Sequence, residues 1–210
     1  MQTTFPELYL GPDLFHQWTV GIRFELNRNH WPNVDREAVL DRAANLYEAV
    51  FRRGDLGLIV SGHEFEFEPK GWSIGKVPQF HNSVFALSRR YSLGLHGIAG
   101  RQRLTTYRDR STRIITTYKW TEYEPFSIGY REILRAIMNN DFPLRQPRIG
   151  DRVYFINQTR NIILHMYDDR GLDLISPQVA NLRPIYEAHG SWVLEHDRRS
   201  IERVFEQVDE

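Results

Sequence analysis

Cysteine is absent from the 210-residue sequence. Its absence excludes disulfides, thiolate metal ligands and cysteine nucleophiles together, and it agrees with a reducing compartment. Neither sign of charge is in excess, since 27 Lys and Arg face 27 Asp and Glu. A chain with no net charge has no global electrostatic pull toward nucleic acid. Long apolar runs are missing as well, and none approaches the ~20 residues of a membrane span. Met1 to Leu8 carries neither the basic start nor the apolar centre of a signal peptide. A cytoplasmic location, with no membrane partner, is therefore expected. The sequon Asn157-Gln158-Thr159 has meaning only in a secreted chain. Internal repeats and low-complexity tracts are also lacking.

What the chain has is ordinary globular material rich in rings. Hydrophobic residues make up 41% and aromatics 13%, enough for one domain with a substantial core. The sequence is organised around Asn161 to Ser176. Two apolar runs, Ile162 to Tyr167 and Leu172 to Ile175, flank Asp168-Asp169-Arg170-Gly171. That pattern predicts a β-hairpin, with Gly171 taking a positive φ to close a three-residue loop with a bulge. Alternation places Ile162, Leu164 and Met166 on one face and Ile163, His165 and Tyr167 on the other. Neither face is wholly polar, so both are expected to be covered.

Tyr167-Asp168-Asp169-Arg170-Gly171 resembles the signature of the DUF3885 family of bacterial proteins. The resemblance continues through Asn140-Asp141-Phe142-Pro143-Leu144, Val153-Tyr154-Phe155-Ile156-Asn157, Arg183-Pro184-Ile185-Tyr186, Trp192-Val193-Leu194 and Asp197-Arg198. It is strongest in the C-terminal third. Arg23-Phe24-Glu25-Leu26 and the helix from Ala43 to Phe51 are similar to the family's N-terminal part. The family brings no established activity. Its relatives' place among interbacterial toxin–immunity genes implies a neutralising role.

From the start, Trp18 to Leu26 reads as a strand with Ile22 and Phe24 on one face and Arg23 and Glu25 on the other; the ordinary role of Arg23 is a cross-strand ion pair. Val39, Ala43, Leu46, Tyr47 and Val50 recur at helical spacing over Asp35 to Arg53. Asp35 is the expected N-cap and Gly54 the stop. Leu56 to Val60 is a short strand, and Glu64, Glu66 and Glu68 then form an acidic ladder. Phe80 to Tyr91 suggests a helix, and Gly94, Gly97 and Gly100 a hinge. Arg101 to Arg108 and Arg113 to Tyr123 suggest a second hairpin. Ser127 to Asn140 reads as a helix capped by Ser127. Val153 to Ile175 is a meander. Helical segments are expected after Pro177, over Arg183 to His189, and after Asp197. The fold class is α+β: antiparallel sheet with helices packed to one side, and a C-terminal β-meander followed by helices. The organisation is a single domain over 1–210, with two tightly joined lobes, 1–95 and 101–210, as the alternative.

Candidate sites weigh differently. Gly71-Trp72-Ser73-Ile74-Gly75 matches the G-x-S-x-G pattern, yet Pro78 blocks the helix that a nucleophile elbow needs. The eight histidines show no ligand spacing, and no metal or other cofactor is called for. Asp168, Asp169 and Asp173, with His165 or Arg170 assisting, could form a metal-dependent hydrolase or nuclease-like site. The competing structural role is a latch of Tyr167, Asp168, Asp169, Arg170, Gly171, Asp197 and Arg198. In it an Asp accepts turn N–H groups and Arg170 pairs with an acid such as Asp197. Arg89, Arg90, Arg101, Arg103, Arg108, Arg110 and Arg113, interleaved with Tyr91, Tyr107 and Tyr118, could hold single-stranded nucleic acid, although neutral net charge argues against it. The sequence inclines to a non-enzymatic protein-binding module, an immunity factor in the family's sense. Its partner-binding candidates are Glu64, Glu66, Glu68, Arg101, Arg103 and Arg108.

Overall fold

The computed structural model describes residues 9–11, 13–28, 34–65, 84–85, 103–108, 115–142 and 144–206, and for 65, 103–108 and 115 the backbone alone. Strands are β1 (Gly21–Glu25), β2 (Gly57–Phe65), β3 (Arg103–Arg108), β4 (Ile115–Tyr123), β5 (Arg152–Asn157), β6 (Ile162–Met166) and β7 (Gly171–Ile175). Helices are α1 (Arg36–Val50), α2 (Tyr130–Met138), α3 (Val179–His189) and α4 (Arg198–Glu206). The strands form one seven-stranded sheet in the order β1-β7-β6-β5-β2-β4-β3, antiparallel at every pairing. It draws strands from both sides of the 94–100 stretch. This is the expected α+β fold, with its meander β5-β6-β7 followed by helices.

Alternation decides what each face does. Ile22, Phe24, Ile59, Phe155, Leu164 and Leu174 share one core with buried residues of all four helices. On the opposite face Leu58, Val60, Tyr154, Ile156, Ile163 and Ile175 form a second cluster with Leu10 and Leu14. The helices thus lie to one side, and Leu10, Leu14 and Trp18 cover the other. Polar bonds pin that cover. Tyr118 Oη donates to Leu10 O at 2.7 Å, and Trp18 Nε1 to Ser176 O at 2.8 Å.

Local chemistry explains the helix ends. Asp35 accepts the Ala38 N–H at 3.1 Å, as an N-cap should. Helix α1 stops at Val50, not Arg53, because the β5–β6 turn receives it. Asn157 Nδ2 donates to Val50 O at 2.9 Å and Arg160 Nη1 to Ala49 O at 2.9 Å, so two donors close its final carbonyls. Gly54 lies beyond, with φ +88° in a separate turn. Helix α2 begins at Tyr130, not Ser127, whose hydroxyl instead donates to Glu124 O at 2.7 Å. The two segments expected between Pro177 and His189 are one helix containing Pro184. Pro184 stands in its second turn, where it withholds the N–H that would otherwise reach Ala180 O.

Candidate functional site

The Asp168–Gly171 turn joins β6 to β7. Asp168 accepts the Arg170 backbone N–H at 2.7 Å and takes the Arg170 guanidinium through Nε at 2.7 Å and through Nη2. Arg170 therefore pairs with Asp168 rather than Asp197, and its side chain remains 73% exposed. The turn also anchors the end of β1, because Leu26 N–H donates to Arg170 O at 2.8 Å. Asp169 accepts from Asn27 Nδ2 at 3.3 Å. Burial raises the Asp169 pKa, and the neighbouring Asp168 raises it further.

Gly171 does not take the positive φ expected of it. Among the described residues the glycine with positive φ is Gly54, and the non-glycine is Asn161. Gly171 is needed for space. A Cβ there would stand 1.8 Å from Tyr167 Oη and 2.4 Å from Tyr167 Cζ. The hydroxyl end of Tyr167 therefore occupies the space beside Gly171 at the start of β7.

Register brings Arg23, Asp173 and His165 side by side across β1, β7 and β6. Arg23 grips Asp173 with two bonds, Nε to Oδ1 at 2.9 Å and Nη2 to Oδ2 at 3.2 Å. Asp197 Oδ2 lies 3.7 Å and Asp13 Oδ1 3.5 Å from the same guanidinium, and the Phe15 ring covers it at 4.8 Å. Asp173 is fully buried, which raises its pKa, while Arg23 pulls it back down. His165 is also buried, holds Val153 O through Nδ1 at 3.0 Å and stacks on Tyr154 at 4.4 Å. A carbonyl only accepts, so Nδ1 carries the proton. Burial pushes the His165 pKa down to about 4.

Arg198 completes the arrangement from the other side. It donates to Gly190 O at 3.2 Å and Val193 O at 3.1 Å. Val193 bridges to Phe24, and Leu194 N–H reaches Arg23 O at 2.9 Å, so residues 193–194 line the outer edge of β1.

The three aspartates thus face different partners: Asp168 meets Arg170, Asp169 meets Asn27 and Asp173 meets Arg23. They do not converge on one point as ligands of a metal would. Among the described residues, no three His, Asp or Glu side chains are gathered in that way. Of the acidic ladder, Glu64 pairs with Arg152 of β5, and the side chains of the hairpin arginines lie outside the described residues. Glu66 and Glu68 lie outside the described residues, as do Arg89, Arg90, Arg101, Arg110, Arg113, Tyr91, the 71–75 motif and the 94–100 glycines. Arg103, Tyr107 and Arg108 stand in β3, where the backbone alone is described. Tyr118 lies against Tyr9 at 6.2 Å rather than open for stacking.

Sequence reasoning passed over Arg36, Asn139 and Arg145, which line a cavity of about 630 Å³ at the N-terminus of α1. One signal was available. Arg36 is the first residue of a helix, where the macrodipole disfavours a cation.

A family model described as a domain of unknown function (DUF3885) matches residues 1–197, so the likeness extends well beyond the C-terminal third. An uncharacterized protein of Bacillus subtilis (strain 168), YnaE, is 23% identical over 219 residues, which cover 93% of this chain and 96% of the relative.

Proposed function

Because the chain belongs to the DUF3885 family, whose description carries no activity, we propose a role from its own surface: it is a non-enzymatic module that binds another protein. The observation that supports this is the end of the sheet. β3 pairs with β4 along one edge, and among the described residues no strand pairs with its other edge. A strand edge is a row of alternating N–H and C=O groups that an extended segment of a partner can complete. Arg103 and Arg108 bracket that edge in sequence, so the matching segment is acidic. The finer reading is that the partner is a toxin which the module neutralises, in line with the gene context that the family resemblance implies.

Proline tests the edge directly. Successive N–H groups of a strand point to opposite sides, so one of Thr105 and Thr106 donates to β4 and the other outward. Replacing both residues in turn separates docking from folding. One of Thr105→Pro and Thr106→Pro is expected to lower the melting temperature by breaking the β4 ladder. The other is expected to melt like wild type and to lose co-purification with the products of neighbouring genes. Full retention of the partner by the variant that melts normally would remove β3 as the docking edge.

A further inference from the structure

Helix α1 begins in a cluster of guanidinium groups. Arg36, Arg135 and Arg145 line the cavity of about 630 Å³ together with Asp35, Glu37 and Asn139. One ion pair is complete, and one carboxylate is engaged by the helix backbone. Glu37 Oε1 accepts from Arg135 Nη1 at 2.8 Å, and Asp35 accepts the Ala38 N–H at 3.1 Å. Two cations remain. The Arg36 guanidinium lies over the Phe142 ring at 4.6 Å and gives Nη2 to Asn139 Oδ1. Asn139 is itself fixed, since its Nδ2 donates to Pro147 O at 2.8 Å. Arg36 Nη1 is buried and has no hydrogen-bond partner among the described residues. Arg145 is exposed and has no acidic partner among them.

An unsatisfied buried guanidinium N–H is costly and asks for an acceptor. The surroundings sharpen the demand. Burial and the charges of Arg145 and Arg135 press against the positive charge of Arg36, with Asp169 and Glu37 opposing them. The N-terminus of α1 adds backbone N–H groups and the positive end of its dipole. Three arginines face two carboxylates in the lining, and the two guanidiniums without an ion pair, Arg36 and Arg145, offer a phosphate group two forks of donors. A single carboxylate would match one of them. The volume suits a small organic ligand rather than a bare ion.

We propose that this cavity binds a small phosphate-bearing ligand, held by Arg36 and Arg145 at the N-terminus of α1. The site is independent of the β3 edge, so either can fail alone.

The test is thermal melting and calorimetry of the full chain with inorganic phosphate, with glycerol 3-phosphate and with acetate, each at matched ionic strength against sodium chloride. At about ten times the dissociation constant, a phosphate probe raises the melting temperature by about 3–5 °C. Arg145→Gln lies at the surface and keeps its own melting temperature within about 1 °C, yet weakens binding at least about tenfold. Arg36→Lys retains the charge but not the fork, and weakens binding similarly. Binding of glycerol 3-phosphate alone assigns the organic body to the cavity, whereas equal binding of inorganic phosphate assigns the phosphate group by itself. The proposal is overturned if neither phosphate probe exceeds sodium chloride, if acetate matches them, or if both variants bind within twofold of wild type.

Discussion

Replacing His165 with Gln isolates one source of acid sensitivity. In the folded protein burial holds its pKa at about 4 against an ordinary value of 6.5. In the unfolded chain the imidazole returns to that ordinary value. The folded pKa is the lower one, so the unfolded state binds more protons between these two values. Stability from this group is therefore complete above the unfolded pKa, is lost as pH falls toward about 4, and falls no further below that. A shift of one unit corresponds to about 1.4 kcal/mol, so a drop from about pH 7 to about pH 4.5 removes roughly 2 kcal/mol of wild-type stability through His165 alone. Other groups around it also titrate. Asp173 and Asp169 have raised pKa values and act with the opposite sign, while Arg152 and Asp168 are the remaining charges nearby. Their effects largely cancel when wild type and variant are compared at the same pH. Gln can still donate to Val153 O, although the stacking on Tyr154 is lost and the variant starts weaker at neutral pH. The assay is urea unfolding of both proteins at the two pH values. The variant should lose about 2 kcal/mol less than wild type on acidification. Equal losses, or a His165 imidazole seen by NMR to titrate near 6.5, would refute the reasoning.

Arg23→Met leaves the fully buried Asp173 without its cation, and losing one member of a buried pair costs about 3–5 kcal/mol; chemical denaturation should show it, and a loss below about 1 kcal/mol would mean that water or another cation takes over. Arg170→Met removes a guanidinium that lies largely in solvent, leaves Asp168 its backbone N–H bond and should cost about 1 kcal/mol, whereas Asp168→Ala also strips the turn of its N–H acceptor and should cost about 1–2 kcal/mol more. Equal melting temperatures for those two variants would contradict that division. Gly171→Ala forces the Tyr167 ring away from β7 at a cost of about 1–3 kcal/mol. Adding Tyr167→Ala should remove most of that penalty and leave the smaller share owed to the Phe24 carbonyl at 3.1 Å, and an unchanged penalty in that background would place the clash elsewhere.

The legible parts of the fold were those written in local pattern. Apolar runs on either side of a polar turn marked β6 and β7, and a helical stripe with an Asp before it marked α1. Val153 to Asn157 and the second hairpin were readable for the same reason. What escaped was decided over long distances. Nothing near Arg23 announces that its partner stands 150 residues away on β7. That pairing follows from β1 joining the far end of the meander. Arg170 was expected to reach Asp197, but the shorter path to Asp168 was available within its own turn. Gly171 was assigned a backbone role because a turn was in view, while its neighbour's ring was not. No periodic pattern marks residues 9–18 as part of the fold, yet Leu10 and Leu14 close the second core. At the candidate site the acids were visible, but their separate partners were not.

The pairing of β1 with β7 also sets an order of assembly. Ile22 and Phe24 leave the ribosome about 150 residues ahead of the strand that accepts them. At roughly 5–20 residues per second, that interval is about 8–30 s. For that time β1 is an apolar ribbon with no native neighbour, and the nascent chain must keep it from aggregating. The same late seam is where a strand supplied by a second copy could enter, so the natural way for this protein to misassemble is by exchange of its first strand.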